Sequence, residues 1–179
     1  REPIESLRRA HAMVLTRTDA VDVQALETLE HRIAGYAPGR PVWRARLEVN
    51  SVGLDTLIQS SSWLQGRRVL AFCGIGHPKS FFALLERSGA EVVERAVFAD
   101  HHAFKEHEVE SIVRRGIELG ATPVTTSKDA VRLTPGQRSR VAVIHTRLNL
   151  HDGHATGLLD LIAERIDAST QQKRLHGGG

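Results

Sequence analysis

From Arg67 onward, short apolar runs and amphipathic stretches take turns along the chain, and this alternation constrains the fold more than any other feature. VLAFC (Val69–Cys73) has the length and side chains of a buried strand. The stretch from Pro78 to Ser88 places Phe81, Phe82, Leu84 and Leu85 for the buried face of a helix. EVVERAVF (Glu91–Phe98) predicts a strand, and Glu106 to Leu119 a helix with Val109, Ile112, Val113 and Ile117 on one stripe. TPVTT (Thr122–Thr126) predicts another strand, with Pro123 marking its start or a sheet edge, and VAVIH (Val141–His145) one more. Leu158, Leu159, Ile162 and Ile166 predict a closing helix. Strands and helices in this order bury their apolar faces as an α/β layer, a mostly parallel sheet with helices on both faces.

The chain before Arg67 is patterned differently. AMVLT (Ala12–Thr16) predicts a short buried strand. Asp22 has the position of an N-cap, with Val23, Leu26, Leu29 and Ile33 following at helical spacing until Gly35 and Pro38-Gly39. Val42 to Val49 alternates as a half-buried strand does, and a turn at Asn50-Ser51 would bring Val52 to Ile58 back as its partner. The Ser60–Ser62 run and Gly66 close this two-stranded segment. At the far end, QQKRLHGGG has nothing apolar to pack and predicts a disordered tail.

Composition narrows the function. Hydrophobic residues at 41% and charged residues at 25% exclude wholesale disorder, and no apolar run approaches the ~18 residues of a membrane span. Aromatics are 4% and no basic stretch interleaves with them, which argues against a stacking surface for nucleic acid. Cys73 has no partner for an internal disulfide and predicts a buried thiol in a reducing compartment. REPIESLRRA carries charges where a signal peptide needs an apolar region, and the first residue is not Met, so the sequence reads as starting within a longer one.

Three polar loops fall at predicted strand ends, where open α/β sheets bind ligands. Gly74-Ile75-Gly76-His77-Pro78 makes either a plain turn into a helix or a turn whose free N–H groups hold an anion. Asp100-His101-His102 is either a solvated capping loop or an imidazole beside a carboxylate that orients it for acid–base work. His101, His102 and His107 lie close together, but no CxxC or HExxH spacing supports a metal, and no metal ligand is assigned. Thr125-Thr126-Ser127-Lys128-Asp129 offers hydroxyls and a Lys to a phosphate, or simply an N-cap to a helix. His151, Asp152 and His154 around Gly153 read as a polar turn. None of the 15 glycines is followed by Lys and then Ser or Thr, so the chain has no P-loop.

AFCGIGHPKSFF (Ala71–Phe82), GAEVVERAVFADHHAF (Gly89–Phe104) and VTTSKDAVRL (Val124–Leu133) stand in the order and spacing of the tetraacyldisaccharide 4'-kinases, the lipid A 4'-kinases of Gram-negative bacteria, and the chain resembles that family. REPIESLRRAHAMVLTR (Arg1–Arg17) resembles the segment just after the middle of the family's chain, and the likeness spans roughly residues 1 to 165. It implies an enzyme that uses ATP and a divalent metal, usually Mg2+. Its substrate would be tetraacyldisaccharide 1-phosphate, phosphorylated on the 4' hydroxyl, with peripheral contact at the cytoplasmic face of the inner membrane and no nucleic acid as partner. The implied fold is two α/β domains joined by a two-stranded linker. Residues 1–40 would end the P-loop kinase core, 41–66 form the linker, 67–168 the C-terminal α/β domain and 169–179 a tail. The family's Walker loop and acidic metal-binding residues lie in an N-terminal half that this chain lacks. ATP and Mg2+ would be bound mainly there, and this chain alone would be inactive.

Residue by residue, the resemblance makes His101 the catalytic histidine, which works with an Asp from the half that this chain lacks, and Asp100 its neighbour in the DH pair. It places Arg1 and Glu2, of the REP motif, beside the substrate, and Lys128 and Asp129 near the nucleotide cleft. Ser127 stands where the family commonly has Glu, and His77-Pro78-Lys79 where it commonly has Asn-Pro-Glu, so charge-dependent contacts change at both. Two other readings compete. A stand-alone α/β nucleotide- or anion-binding module would bind without turnover. A small hydrolase built on His101 would need a nucleophile, yet no GxSxG occurs and Cys73 lies in a strand.

Overall fold

The computed structural model describes residues 2–150 and 155–176. It divides into two compact units, one built from the chain up to Arg46 together with the chain from Leu148 onward, the other from Leu47 to Arg147.

In the first unit a 3-10 turn (Ile4–Arg9) leads into strand β1 (Met13–Thr16), helix α1 (Val23–Tyr36) and the start of strand β2 (Val42–Leu54). β1 pairs in parallel with β2, Met13 opposite Val42 and Thr16 opposite Ala45. Asp22 caps α1 by accepting from the Ala25 N–H at 2.8 Å, satisfying a donor that the helix itself cannot. Of the apolar repeat, Leu26 and Ile33 are buried, while Val23 and Leu29 are exposed. Met13, Ile33 and Ala37 form a small core, with Leu7, Leu15 and Val42 packed on it. Arg44 grips Glu30 with two bonds, at 2.6 and 2.8 Å, and that hydrogen bonding holds the Glu30 carboxyl below its ordinary value.

In the second unit β2 turns back into strand β3 (Leu57–Ser60), antiparallel, with Ser51 opposite Ser60 and Leu54 opposite Leu57. The turn therefore lies at Asp55-Thr56, not at the expected Asn50-Ser51. Val52 is fully buried and keeps β2 extended past Asn50. Asp55 takes a left-handed φ of 51°, a conformation that Asp tolerates better than most side chains. The serine run beyond it winds into a 3-10 turn (Ser61–Leu64) that buries Leu64 completely.

The rest follows the alternation: strand β4 (Arg68–Cys73), helix α2 (Pro78–Arg87), strand β5 (Glu91–Val97), helix α3 (Glu106–Leu119), strand β6 (Thr122–Thr126), short helices α4 (Ser127–Ala130) and α5 (Pro135–Arg138), and strand β7 (Ala142–Leu150), which continues beyond the predicted VAVIH. The strand order is β2-β7-β6-β4-β5, and β4 pairs in parallel with both β5 and β6, as β6 does with β7. Pro123 thus sits near the start of an interior strand; the edge is β5.

Period-two alternation sends β4 into two cores. Val69, Ala71 and Cys73 pack with Phe81, Phe82, Leu84 and Leu85 of α2. Leu70 and Phe72 pack on the other face with Val109 and Ile112 of α3 and with Phe104. Phe72 meets Phe104 edge to face, with ring centroids 5.6 Å apart; truncating so buried a ring to Ala costs about 3–5 kcal/mol. In α3 the buried stripe runs Val109, Ile112, Gly116. A side chain at Gly116 would stand 2.8 Å from the Ala121 carbonyl and 2.9 Å from Pro123 Cγ, so the helix approaches β6 through a glycine. Ile117, expected on this stripe, is one residue round the helix and faces solvent.

The chain closes in the first unit with helix α6 (Ala155–His176), which takes in part of the segment read as a tail. Its Leu159, Ile162 and Ile166 are exposed, while Leu158 and Leu161 are half-buried. α6 groups with the N-terminal segment, so the compact units divide after Arg46 and before Leu148. His151, Asp152 and His154 lie outside the described residues. No helix among the described residues is long and apolar enough to cross a membrane.

Candidate functional site

The strand order of the second unit reverses between β4 and β6. The chain leaves β4 through α2 to β5 on one side, then passes through α3 to β6 on the other. At such a switch point the connections beyond the carboxyl ends of the strands diverge and leave a crevice. The three loops singled out in the sequence all start there: from Gly74 after β4, from Phe98 after β5 and from Thr126 after β6.

A polar network ties these loops together, and Asp129 is its buried centre. Its Oδ1 accepts from the Gly74 N–H at 3.0 Å and also pairs with Arg132. Its Oδ2 accepts from the Thr126 hydroxyl at 2.6 Å. Thr126 in turn caps the following turn by accepting from the Asp129 N–H at 3.1 Å. Arg132 Nη2 donates to the Gly74 carbonyl at 3.0 Å, and Nη1 lies 3.3 Å from Nδ1 of His101. The His101 N–H donates to the same Gly74 carbonyl at 3.1 Å. A carboxylate is costly to bury unless its oxygens are satisfied; here an amide, a hydroxyl and a guanidinium do so. Gly74 leaves no room for a side chain: a Cβ would stand 2.8 Å from the Ala99 carbonyl.

The two neighbouring histidines part company. His101 takes a left-handed φ of 61° and its side chain is 85% exposed, with Nε2 3.9 Å from the Asp100 carboxylate. That distance is beyond a hydrogen bond. His102 turns inward, stacked on Phe98 with centroids 4.9 Å apart and edge-on to Phe104 at 5.1 Å. Its Nε2 donates to Glu108 Oε2 at 2.9 Å, and the same carboxylate oxygen accepts from the Lys105 N–H at 2.7 Å at the start of α3. The Lys105 amide first, then His102, hold the Glu108 carboxyl below its ordinary value.

The other candidates are placed as follows. Lys128 is exposed while Asp129 beside it is locked inward. Glu2, in the first unit, forms an exposed ion pair with Arg9 at 2.6 Å; Arg1 lies outside the described residues. Burial, reinforced by the charge of Asp129 and opposed by the Ile75 amide, raises the Cys73 thiol to about 11, so it is no nucleophile near neutral pH. Among the described residues no three His, Cys, Asp or Glu side chains converge on a metal position, and both oxygens of Asp129 have protein partners. These residues do not fit a resident metal ion. Arg132 escaped the sequence reading; its signal was the position three residues after Asp129 in the run SKDAVR.

A parallel α/β unit with polar side chains gathered beyond the strand ends, at the switch point, has the arrangement in which open α/β sheets bind ligands. Comparison with known proteins makes this specific. The family model described as tetraacyldisaccharide-1-P 4'-kinase matches residues 1–166, and the chain belongs to that family. It is 43% identical over 150 residues to the tetraacyldisaccharide 4'-kinase of Rhodospirillum rubrum, covering 83% of this chain and 41% of that one. It is 37% identical over 171 residues to that of an Anaeromyxobacter species, covering 94% and 45%. The solved structure of LpxK from Aquifex aeolicus in complex with ATP superposes with a TM-score of 0.58 at 26% identity, over 92% of this chain and 45% of that one. The chain spans less than half the length of these relatives and matches their C-terminal portion.

Proposed function

We propose that this chain forms the C-terminal part of an ATP-dependent kinase that phosphorylates the 4' hydroxyl of tetraacyldisaccharide 1-phosphate in lipid A biosynthesis. The observation that carries this reading is the family match across residues 1–166. An exposed histidine beyond the carboxyl end of β5, with its N–H on the Gly74 carbonyl that follows β4, agrees with it. Phosphoryl transfer needs little covalent chemistry from the protein and depends on positioning and charge stabilisation. His101 meets the acceptor hydroxyl, with Asp100 beside it; Lys128 lies toward the nucleotide, while Asp129 holds the loop that presents it. Arg1 and Glu2 contact the substrate. Residues 1–40 end the kinase core, 41–66 link it to the domain at 67–168, and ATP and Mg2+ are held mainly outside this chain. The protein works in peripheral contact with the cytoplasmic face of the inner membrane.

The test is transfer of labelled phosphate from ATP to tetraacyldisaccharide 1-phosphate. The protein extended to the length of its relatives transfers it, and the 179-residue chain alone does not. No transfer by the extended protein overturns the function; robust transfer by the 179 residues overturns the assignment of phosphate binding to the remainder.

A further inference from the structure

We propose that Arg132 is a positioning residue for His101, setting its imidazole as the Nε2–H tautomer and aiming that N–H out of the protein. The proposal rests on the reading of His101 as the residue that meets the acceptor, and it adds a residue and a protonation pattern to that reading.

The argument begins with what a guanidinium can do. It has five N–H donors, no acceptor and no proton to give up at ordinary pH. Its contact with His101 at 3.3 Å is made to Nδ1, so Nδ1 must offer its lone pair. A neutral imidazole that accepts at one nitrogen carries its proton on the other, which leaves Nε2 as the donor. The ring is 85% exposed, and the carboxylate 3.9 Å from Nε2 is that of Asp100.

Arg132 can impose this choice because it is itself held. Its Nη2 bridges the Gly74 carbonyl and the buried Asp129 carboxylate, and its side chain is only 21% exposed. The Gly74 carbonyl also takes the His101 N–H, so the backbone and the ring of His101 are referred to the same oxygen. A lysine would keep a charge near Asp129 but lacks the planar fork that spans Gly74, Asp129 and Nδ1 together. An N–H aimed outward suits an oxygen that gains negative charge, and His101 keeps its proton while donating.

The test uses the protein at the length of its relatives, with 15N-labelled histidine, at about pH 8.5, where an ordinary imidazole is neutral. His101→Ala assigns the ring signals. His101 should show an unprotonated Nδ1 and a protonated Nε2. Arg132→Met and the milder Arg132→Lys should both draw its two signals toward the average of exchanging tautomers while those of His102 stay in place. Glu108→Gln should do the reverse, moving His102 alone. A protonated Nδ1 in the unmodified protein, or His101 signals unmoved in Arg132→Lys, overturns the proposal. These spectra decide it whether or not the protein phosphorylates lipid. In the transfer assay Arg132→Lys should lower kcat about tenfold with KM for ATP changed less than about twofold. Spectra that shift while kcat holds would leave Arg132 as the clamp and overturn the placing of His101 at the acceptor.

Discussion

His101 and His102 are neighbours in sequence and opposites in surroundings. One left-handed residue separates their directions. His101 is turned to solvent and held through a polar clamp of Gly74, Asp129 and Arg132. His102 is turned into an aromatic cluster of Phe98 and Phe104 and closed off by Glu108. The comparison teaches that residue type did not decide which histidine is available for chemistry; packing did. The inward ring fastens the loop, and that fastening leaves the outward ring in a fixed place.

The comparison breaks most severely at the centre of the clamp. Asp129→Ala strands the Gly74 amide, the Thr126 hydroxyl and the Arg132 charge in a buried place, and should lower unfolding free energy by about 3–5 kcal/mol in urea denaturation. Gly74→Ala comes next. It touches both sides, because the new Cβ meets the Ala99 carbonyl at 2.8 Å and His102 Cβ at 3.1 Å. Its cost should be about 1–3 kcal/mol, and a cost near zero would show that the loops give way there.

Much of this was legible before any coordinates. The strands from β4 onward are short apolar runs between polar turns, and the bounds of α3 at Glu106 and Leu119 coincide with those its pattern predicts. The β2–β3 turn was misplaced because Asn50-Ser51 has turn chemistry, whereas the burial of Val52 that carries the strand onward is a tertiary fact. The site divides the same way. Loops at strand ends can be located from local pattern, so the loops that carry Asp100, His101 and Asp129 were legible. The clamp could not be, since Gly74 and Arg132 stand 58 residues apart and nothing local joins them. For the same reason the partners that occupy both oxygens of Asp129 from within could not be read from the sequence.

Smaller effects sharpen the contrast on the side of His102. The Glu108 carboxyl is held below its ordinary value of 4.5, so its contribution is fully present above that pH and is lost as the pH falls through the lower folded value. Acid titration followed by NMR should therefore loosen the His102 cluster below pH 4.5, before the aromatic core on the same face opens. A cluster that loosens well above that pH would contradict the sign. Cys73, raised to about 11, should resist alkylation in the native protein at pH 8 and react only on unfolding; prompt native labelling would show that the end of β4 is open.

The most direct measurement compares His101→Ala with His102→Ala in the transfer assay, using the protein at the length of its relatives. His101→Ala should lower kcat by about 100-fold or more and leave KM for ATP nearly unchanged, since the ring acts on the acceptor. His102→Ala should lower stability and cost less than about tenfold in kcat. Equal and small effects at both positions, or a loss confined to His102, would contradict the account.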